Sequence, residues 1–163
     1  MKYSALNYAL RLVSRRDYTV FEVAEKLKRK EYSIEEITAT LKKLQEIKFL
    51  DDTRFTKNYI ENQRSIKQVG NRWLYMRLVR KGISKDLIEE YLKPEGNELV
   101  REAAKRWLKK QGEREIKNKK EKLMMFLARR GFNYGDIVEI VKEEIDGTVN
   151  THEPESENLN LVL

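Results

Sequence analysis

Cysteine is absent from the 163 residues, histidine occurs once, proline twice and glycine seven times. Without cysteine there is no disulfide and no thiolate metal site, which fits a reducing compartment, so a cytoplasmic protein is expected. Scarce glycine and proline leave little turn punctuation and favour helices joined by short loops over a sheet protein. No apolar run approaches the roughly 20 residues that a membrane span needs. The start, MKYSALNYALRLVSRR, lacks the basic-then-apolar order of a signal peptide. Phosphate loops, dinucleotide glycine motifs, zinc-protease helices and nucleophile elbows are all missing. His152 falls in an expected tail, where a general base or metal ligand would be hard to hold. The expectation is therefore no enzyme, no cofactor and no metal.

What the chain does have is charge: 37% of residues are charged, with 34 Lys+Arg against 27 Asp+Glu and a net charge of +7. The distribution is uneven. Residues 143–163 hold six acidic side chains and no Lys or Arg, so residues 1–142 carry about +13. A basic body with an acidic end suits a polyanionic partner or an acidic protein surface. Amphipathic Lys and Arg stems also shield a core without any partner, and for single residues that reading competes.

Apolar periodicity resolves nine helical segments. Leu6, Ala9, Leu10 and Val13 make one face; Val20, Val23, Ala24 and Leu27 the next; Ile34, Ile37, Leu41 and Leu44 the third. Thr19 with Glu22, and Ser33 with Glu36, have the spacing of capping boxes. Asp51 or Asp52 caps a fourth helix carrying Phe55, Tyr59 and Ile66, and Gly70 interrupts before Leu74 and Leu78. Gly82 stops the fifth helix, Ser84 starts the sixth (Leu87, Ile88, Tyr91, Leu92), and Pro94 ends it. Residues 98–111 form a seventh around Val100, Ala103, Ala104, Trp107 and Leu108. An eighth runs to Arg130 with Leu123, Met124, Phe126 and Leu127, and Gly131 ends it; Asn133 caps a ninth with Ile137, Val138, Ile140, Val141 and Ile145.

These segments repeat. Leu27, Leu78 and Leu127 correspond, as do Lys30, Lys81 and Arg130; Tyr32, Ile83 and Phe132; Ser33, Ser84 and Asn133; and Ile37, Ile88 and Ile137. The offsets are 51 and 49 residues. Glu31 stands where the other copies have Gly82 and Gly131, so a differently built helix end is expected there. The fold class is all-α: an elongated, curved array of three tandem three-helix repeats over residues 1–50, 51–95 and 96–146, followed by an acidic, flexible tail at 147–163.

The candidate contact surface is basic: Arg15, Arg16, Arg64, Arg72, Arg77, Arg80, Lys81, Lys105, Arg106, Lys109, Lys110, Lys117, Lys119, Lys120, Arg129 and Arg130. Residues 101–130 alone hold twelve basic and four acidic side chains, a density suited to a phosphate backbone or a filament. Tyr59, Tyr75, Tyr91, Trp73 and Trp107 have the chemistry to stack bases, but at helical spacing they read first as packing. The adjacent Asp51 and Asp52 read as helix caps rather than a metal pair.

Three stretches, SRRDYTVFEVAEKL, FLDDTRFTKNYIENQR and VGNRWLYMRLVRKGIS, resemble the RecX family, bacterial regulators of the RecA recombinase. The family pattern falls on Arg16, Thr19, Glu22 and Val23; on Leu50, Asp51, Asp52, Phe55, Thr56, Tyr59 and, one residue displaced, Arg64; and on Gly70, Leu74, Arg77, Leu78, Lys81, Gly82 and Ile83. Thr19 replaces the family's Ser, Val23 its Leu and Arg77 its Glu. The likeness covers roughly residues 4–145. It implies three tandem three-helix repeats in an elongated, curved molecule that binds the RecA–DNA filament; a monomer is expected. It further implies inhibition of ATP hydrolysis, strand exchange and the co-protease role. Direct, non-specific contact with single- or double-stranded DNA is the alternative that the charge suggests.

Overall fold

The computed structural model describes residues 3–112 and 118–147. Among them are nine helices and no strand: α1 (Ala5–Val13), α2 (Val20–Lys28), α3 (Ile34–Glu46), α4 (Asp52–Lys67), α5 (Asn71–Arg80), α6 (Lys85–Tyr91), α7 (Asn97–Gln111), α8 (Lys119–Arg129) and α9 (Tyr134–Asp146). The chain divides into two compact units, Met1–Glu95 and Gly96–Leu163. Three consecutive helices enclose each of three cores. The first is built on Ala9, Val23, Leu27, Leu44 and Leu50, the second on Phe55, Leu74, Leu78 and Ile88, and the third on Val100, Ala104, Leu123, Leu127 and Ile140. The equivalent leucines Leu27, Leu78 and Leu127 have no exposed surface. Truncating any of them to Ala costs about 2–5 kcal/mol in lost transfer energy and cavity formation.

Local chemistry starts most helices. Thr19 and Ser33 form full capping boxes, each side chain accepting from the backbone N–H three residues on while Glu22 or Glu36 reaches back. Ser4, Asp51 and Ser84 accept the same i+3 hydrogen bond, and Asn133 accepts from Gly135. The third and sixth helices' starting positions thus follow from cap residues alone.

The helix ends before Tyr32, Ile83 and Phe132 share one geometry. Tyr32 N–H donates to Leu27 O, Ile83 to Leu78 O and Phe132 to Leu127 O, the six-to-one bond of a Schellman turn. Such a turn needs a left-handed residue, and Gly82 (φ 78°) and Gly131 (φ 80°) supply it. Glu31 adopts the same conformation at φ 58°. The expectation that the first repeat ends its helix differently is therefore corrected: the turn is conserved in shape, and a non-glycine is held in it.

Other expectations also shift. Ile34 and Ile66 are 78% and 67% exposed, and Val138 faces outward, so none belongs to a core face. Ile34 is the first residue of its helix, ahead of the turns that pack, while Thr40 is buried on the inner face with Leu44. Helix α4 stops at Gln68, which is left-handed (φ 50°), and Gly70 is instead the N-cap of α5. The expected tail lies outside the described residues beyond Gly147.

Candidate functional site: the inter-repeat joint and a cationic helix

Residues from each of the three quoted motifs meet at one place, the N-terminus of α2 against the second bundle. The Thr19 side chain accepts from Glu22 N–H (3.1 Å) and donates to the Lys81 carbonyl (2.6 Å). One oxygen of Glu22 accepts from Thr19 N–H, and the other pairs with Lys81 Nζ at 2.8 Å and Arg16 at 3.7 Å. Val20 N–H, a free donor of the first helical turn, donates to Asp52 Oδ1 at 2.9 Å. The two adjacent aspartates thus divide their work: Asp51 caps its own helix through Arg54 N–H, whereas Asp52 caps a helix of the preceding repeat. A carboxylate at that end also complements the helix dipole. Burial pushes the Asp52 carboxyl above its usual range, the Val20 hydrogen bond opposes that, and neighbouring Asp51 and Glu22 add to it.

Aromatic packing completes the joint. Phe55 is buried and stacks on Tyr59 with ring centroids 5.7 Å apart, and Lys81 Nζ lies over both rings. Burial raises the Tyr59 hydroxyl above its ordinary value. A Cβ at Gly82 would collide with the Cβ and ring of Phe21, so the glycine is required by close approach as well as by φ. Arg64 is half-buried and ties the far end of the second bundle, donating to Asn71 Oδ1, while Asn71 N–H donates to Glu95 at 2.7 Å.

Several candidate contact residues are therefore occupied within the fold. Lys81 and Arg16 serve Glu22, Arg64 serves Asn71, and Arg77 lies 5.0 Å over Trp73, which Lys67 also approaches. Trp73, Tyr59, Tyr75 and Tyr91 pack on the second core and Trp107 on the third. Arg15, Arg72 and Arg80 are exposed.

In the second unit, α7 separates its residues by face. Val100, Ala103 and Ala104 are buried, and Trp107 and Leu108 continue that stripe. Lys105, Arg106, Lys109 and Lys110, spaced i, i+1, i+4 and i+5, share the exposed side. Lys105 approaches Glu144 at 3.9 Å, a loose exposed pair. Arg130, at the end of α8, stacks over Phe126 at 4.7 Å; burial and then the nearby Arg106 charge lower its pKa. The fold thus adds Arg130 to the α7 cations. Arg129 is exposed beside it, Lys119 and Lys120 open α8, and Lys117 lies outside the described residues.

Sequence reasoning missed Arg101, which clamps Glu143 at 2.8 Å and Glu144 at 3.2 Å on α9. It also missed Asp52 as a cap in trans. The spacing of neither pair carries a local signal, because both join separate helices. Among the described residues no group of three or more His, Asp or Glu side chains is placed to hold a metal ion, and no helix is long and apolar enough to cross a membrane.

Comparison with known proteins agrees with this architecture bundle by bundle. Residues 5–44 match the RecX first three-helix domain, residues 51–92 the second and residues 95–141 the third. The regulatory protein RecX of Chlorobium limicola is 35% identical over 158 residues, covering 96% of each chain. That of Legionella pneumophila is 34% identical over 141 residues, 85% of this chain and 93% of the relative. The crystal structure of RecX from Lactobacillus salivarius superposes with a TM-score of 0.71 at 23% identity, over 85% of this chain and 93% of the other, a likeness of fold. With three domain matches in order and full-length relatives above 30% identity, the chain belongs to the RecX family.

Proposed function

We propose that this protein is a non-enzymatic regulator that binds the RecA–DNA filament and inhibits RecA ATP hydrolysis, strand exchange and co-protease activity. The observation that carries the reading is the complete, ordered set of three RecX domains, which leaves little of residues 5–141 unassigned. The structure supports it in kind. Thr19, Glu22, Asp52, Lys81 and Gly82 of the motifs join two bundles, and the basic chemistry offered to a partner lies on exposed helical faces. The α7 stripe of Lys105, Arg106, Lys109 and Lys110 suits an acidic filament surface or DNA phosphates within it.

The test is RecA ATPase and strand exchange with the protein titrated in. Inhibition saturating at a fixed ratio to RecA is expected; no effect at several-fold excess over that ratio would sink the reading. The α7 stripe also favours a second reading, direct action on DNA. That reading expects retention on DNA without RecA, affinity falling steeply with salt, and loss of function on charge reversal at Lys105, Lys109 and Lys110.

A further inference from the structure

A groove in the first bundle uses none of the joint residues. Three tyrosines, Tyr3, Tyr8 and Tyr32, and three cations, Arg11, Arg15 and Lys30, line a cavity of about 400 Å³. That volume falls within the roughly 300–1,000 Å³ of small-ligand sites. Among the described residues no carboxylate lines it and none ion-pairs with its cations. Two other grooves differ: that around Lys57 and Lys93 includes Glu61 and Glu90, and that around Arg16 includes Asp17.

The groove is built by a departure from the repeat. At the position of Tyr32 the other copies have Ile83 and Phe132, both buried core residues. Tyr32 is only half-buried, and its hydroxyl donates to the Tyr3 carbonyl at 2.6 Å, holding the N-terminal segment beside the ring. Tyr8 and Tyr32 stand 6.3 Å apart with planes tilted by 39°, and the Arg11 guanidinium lies 5.1 Å over Tyr3. Aromatic rings beside cations that no described carboxylate pairs match a ligand with flat rings and phosphates alternating along it. A duplex hides its base faces, whereas a single strand presents them.

We propose that this Tyr–Arg groove binds single-stranded nucleic acid, with an unstacked base on the tyrosines and flanking phosphates on Arg11, Arg15 and Lys30. The site needs no RecA and is independent of the α7 stripe. The test is fluorescence anisotropy of a labelled oligodeoxythymidine of about 12 nucleotides, long enough for one site, with the full-length protein and no RecA. Tyr8→Leu keeps apolar bulk on the core and removes the stacking ring, so it should weaken binding at least about fivefold. Arg15→Ala/Lys30→Ala changes only exposed side chains and should weaken binding clearly more than Lys42→Ala/Lys85→Ala, which removes the same charge elsewhere in this unit. The proposal is overturned if Tyr8→Leu binds as wild type, or if the two double variants are equivalent. It is also overturned if duplex binds as tightly as the strand, or if polyglutamate displaces the strand as well as unlabelled oligonucleotide does.

Discussion

Gly82 and Glu31 occupy the same turn in two repeats, under opposite constraints. At Gly82 an alanine would meet both the left-handed backbone cost and the Cβ of Phe21, which side-chain rotation cannot move. Gly82→Ala should destabilise the first unit by about 2–4 kcal/mol, combining the conformational and overpacking penalties. Phe21→Ala should not rescue it, since the Cβ remains. Glu31→Gly should do the reverse, gaining about 0.5–1 kcal/mol once the entropy that glycine adds to the unfolded chain is subtracted. Urea unfolding of both variants measures the contrast. Asp52 makes a third residue-scale case. Its raised pKa means that its contribution to stability is full below the unfolded value of 3.8 and is lost as pH rises through the folded value. Asp52→Asn keeps an oxygen to accept from Val20 N–H without the charge. Its stability relative to wild type should therefore be higher at pH 7 than at pH 4, and equal shifts at both values would contradict the assignment.

At the scale of the element, the two capping boxes separate local from tertiary work. Ser33 is exposed and caps α3 alone, so Ser33→Ala should cost about 0.5–2 kcal/mol. Thr19 is fully buried, and its hydroxyl also satisfies the Lys81 carbonyl across the joint. Thr19→Ala loses the cap and leaves that carbonyl unpaired, for about 2–4 kcal/mol in total. Equal costs at the two sites, read by chemical denaturation, would mean that the cross-joint bond is not felt. The sequence exposed both boxes equally well through their Ser/Thr-x-x-Glu spacing. What separates them is a neighbour 62 residues away, and no local pattern encodes it. The same limit explains Ile34: periodicity counted it inward, but the first residue of a helix lies beyond the turns that pack.

For the whole molecule the long-range term is charge. Residues 147–163 contain three carboxylates and no Lys or Arg, whereas the body is strongly basic. Removing them should raise affinity for non-specific DNA at low salt, with the difference shrinking as salt screens it. Unchanged affinity for the truncated chain, measured by anisotropy across a salt series, would exclude competition by the tail. The basic residues themselves sort only in three dimensions. Sixteen cations were candidates on composition; Lys81, Arg16 and Arg64 have partners within their own unit, and Lys105, Arg106, Lys109 and Lys110 lie along one exposed face of α7, with Lys105 near Glu144.

The sequence by itself determined the helical class, the threefold repetition, most helix starts and the shared stop at Gly82 and Gly131. Caps, left-handed turns and apolar spacing act over fewer than about eight residues, within reach of a local pattern. Only the tertiary structure decided what the KGIS turn at 81–84 does, because its partners lie in another repeat. Thr19, Glu22 and Phe21 close on Lys81 and Gly82 from sequence separations near 60 residues, and Asp52 reaches back to Val20. Which cations these contacts tie to a carboxylate could not be read locally, since Lys81 beside the half-buried Glu22 is indistinguishable in sequence from a lysine facing water.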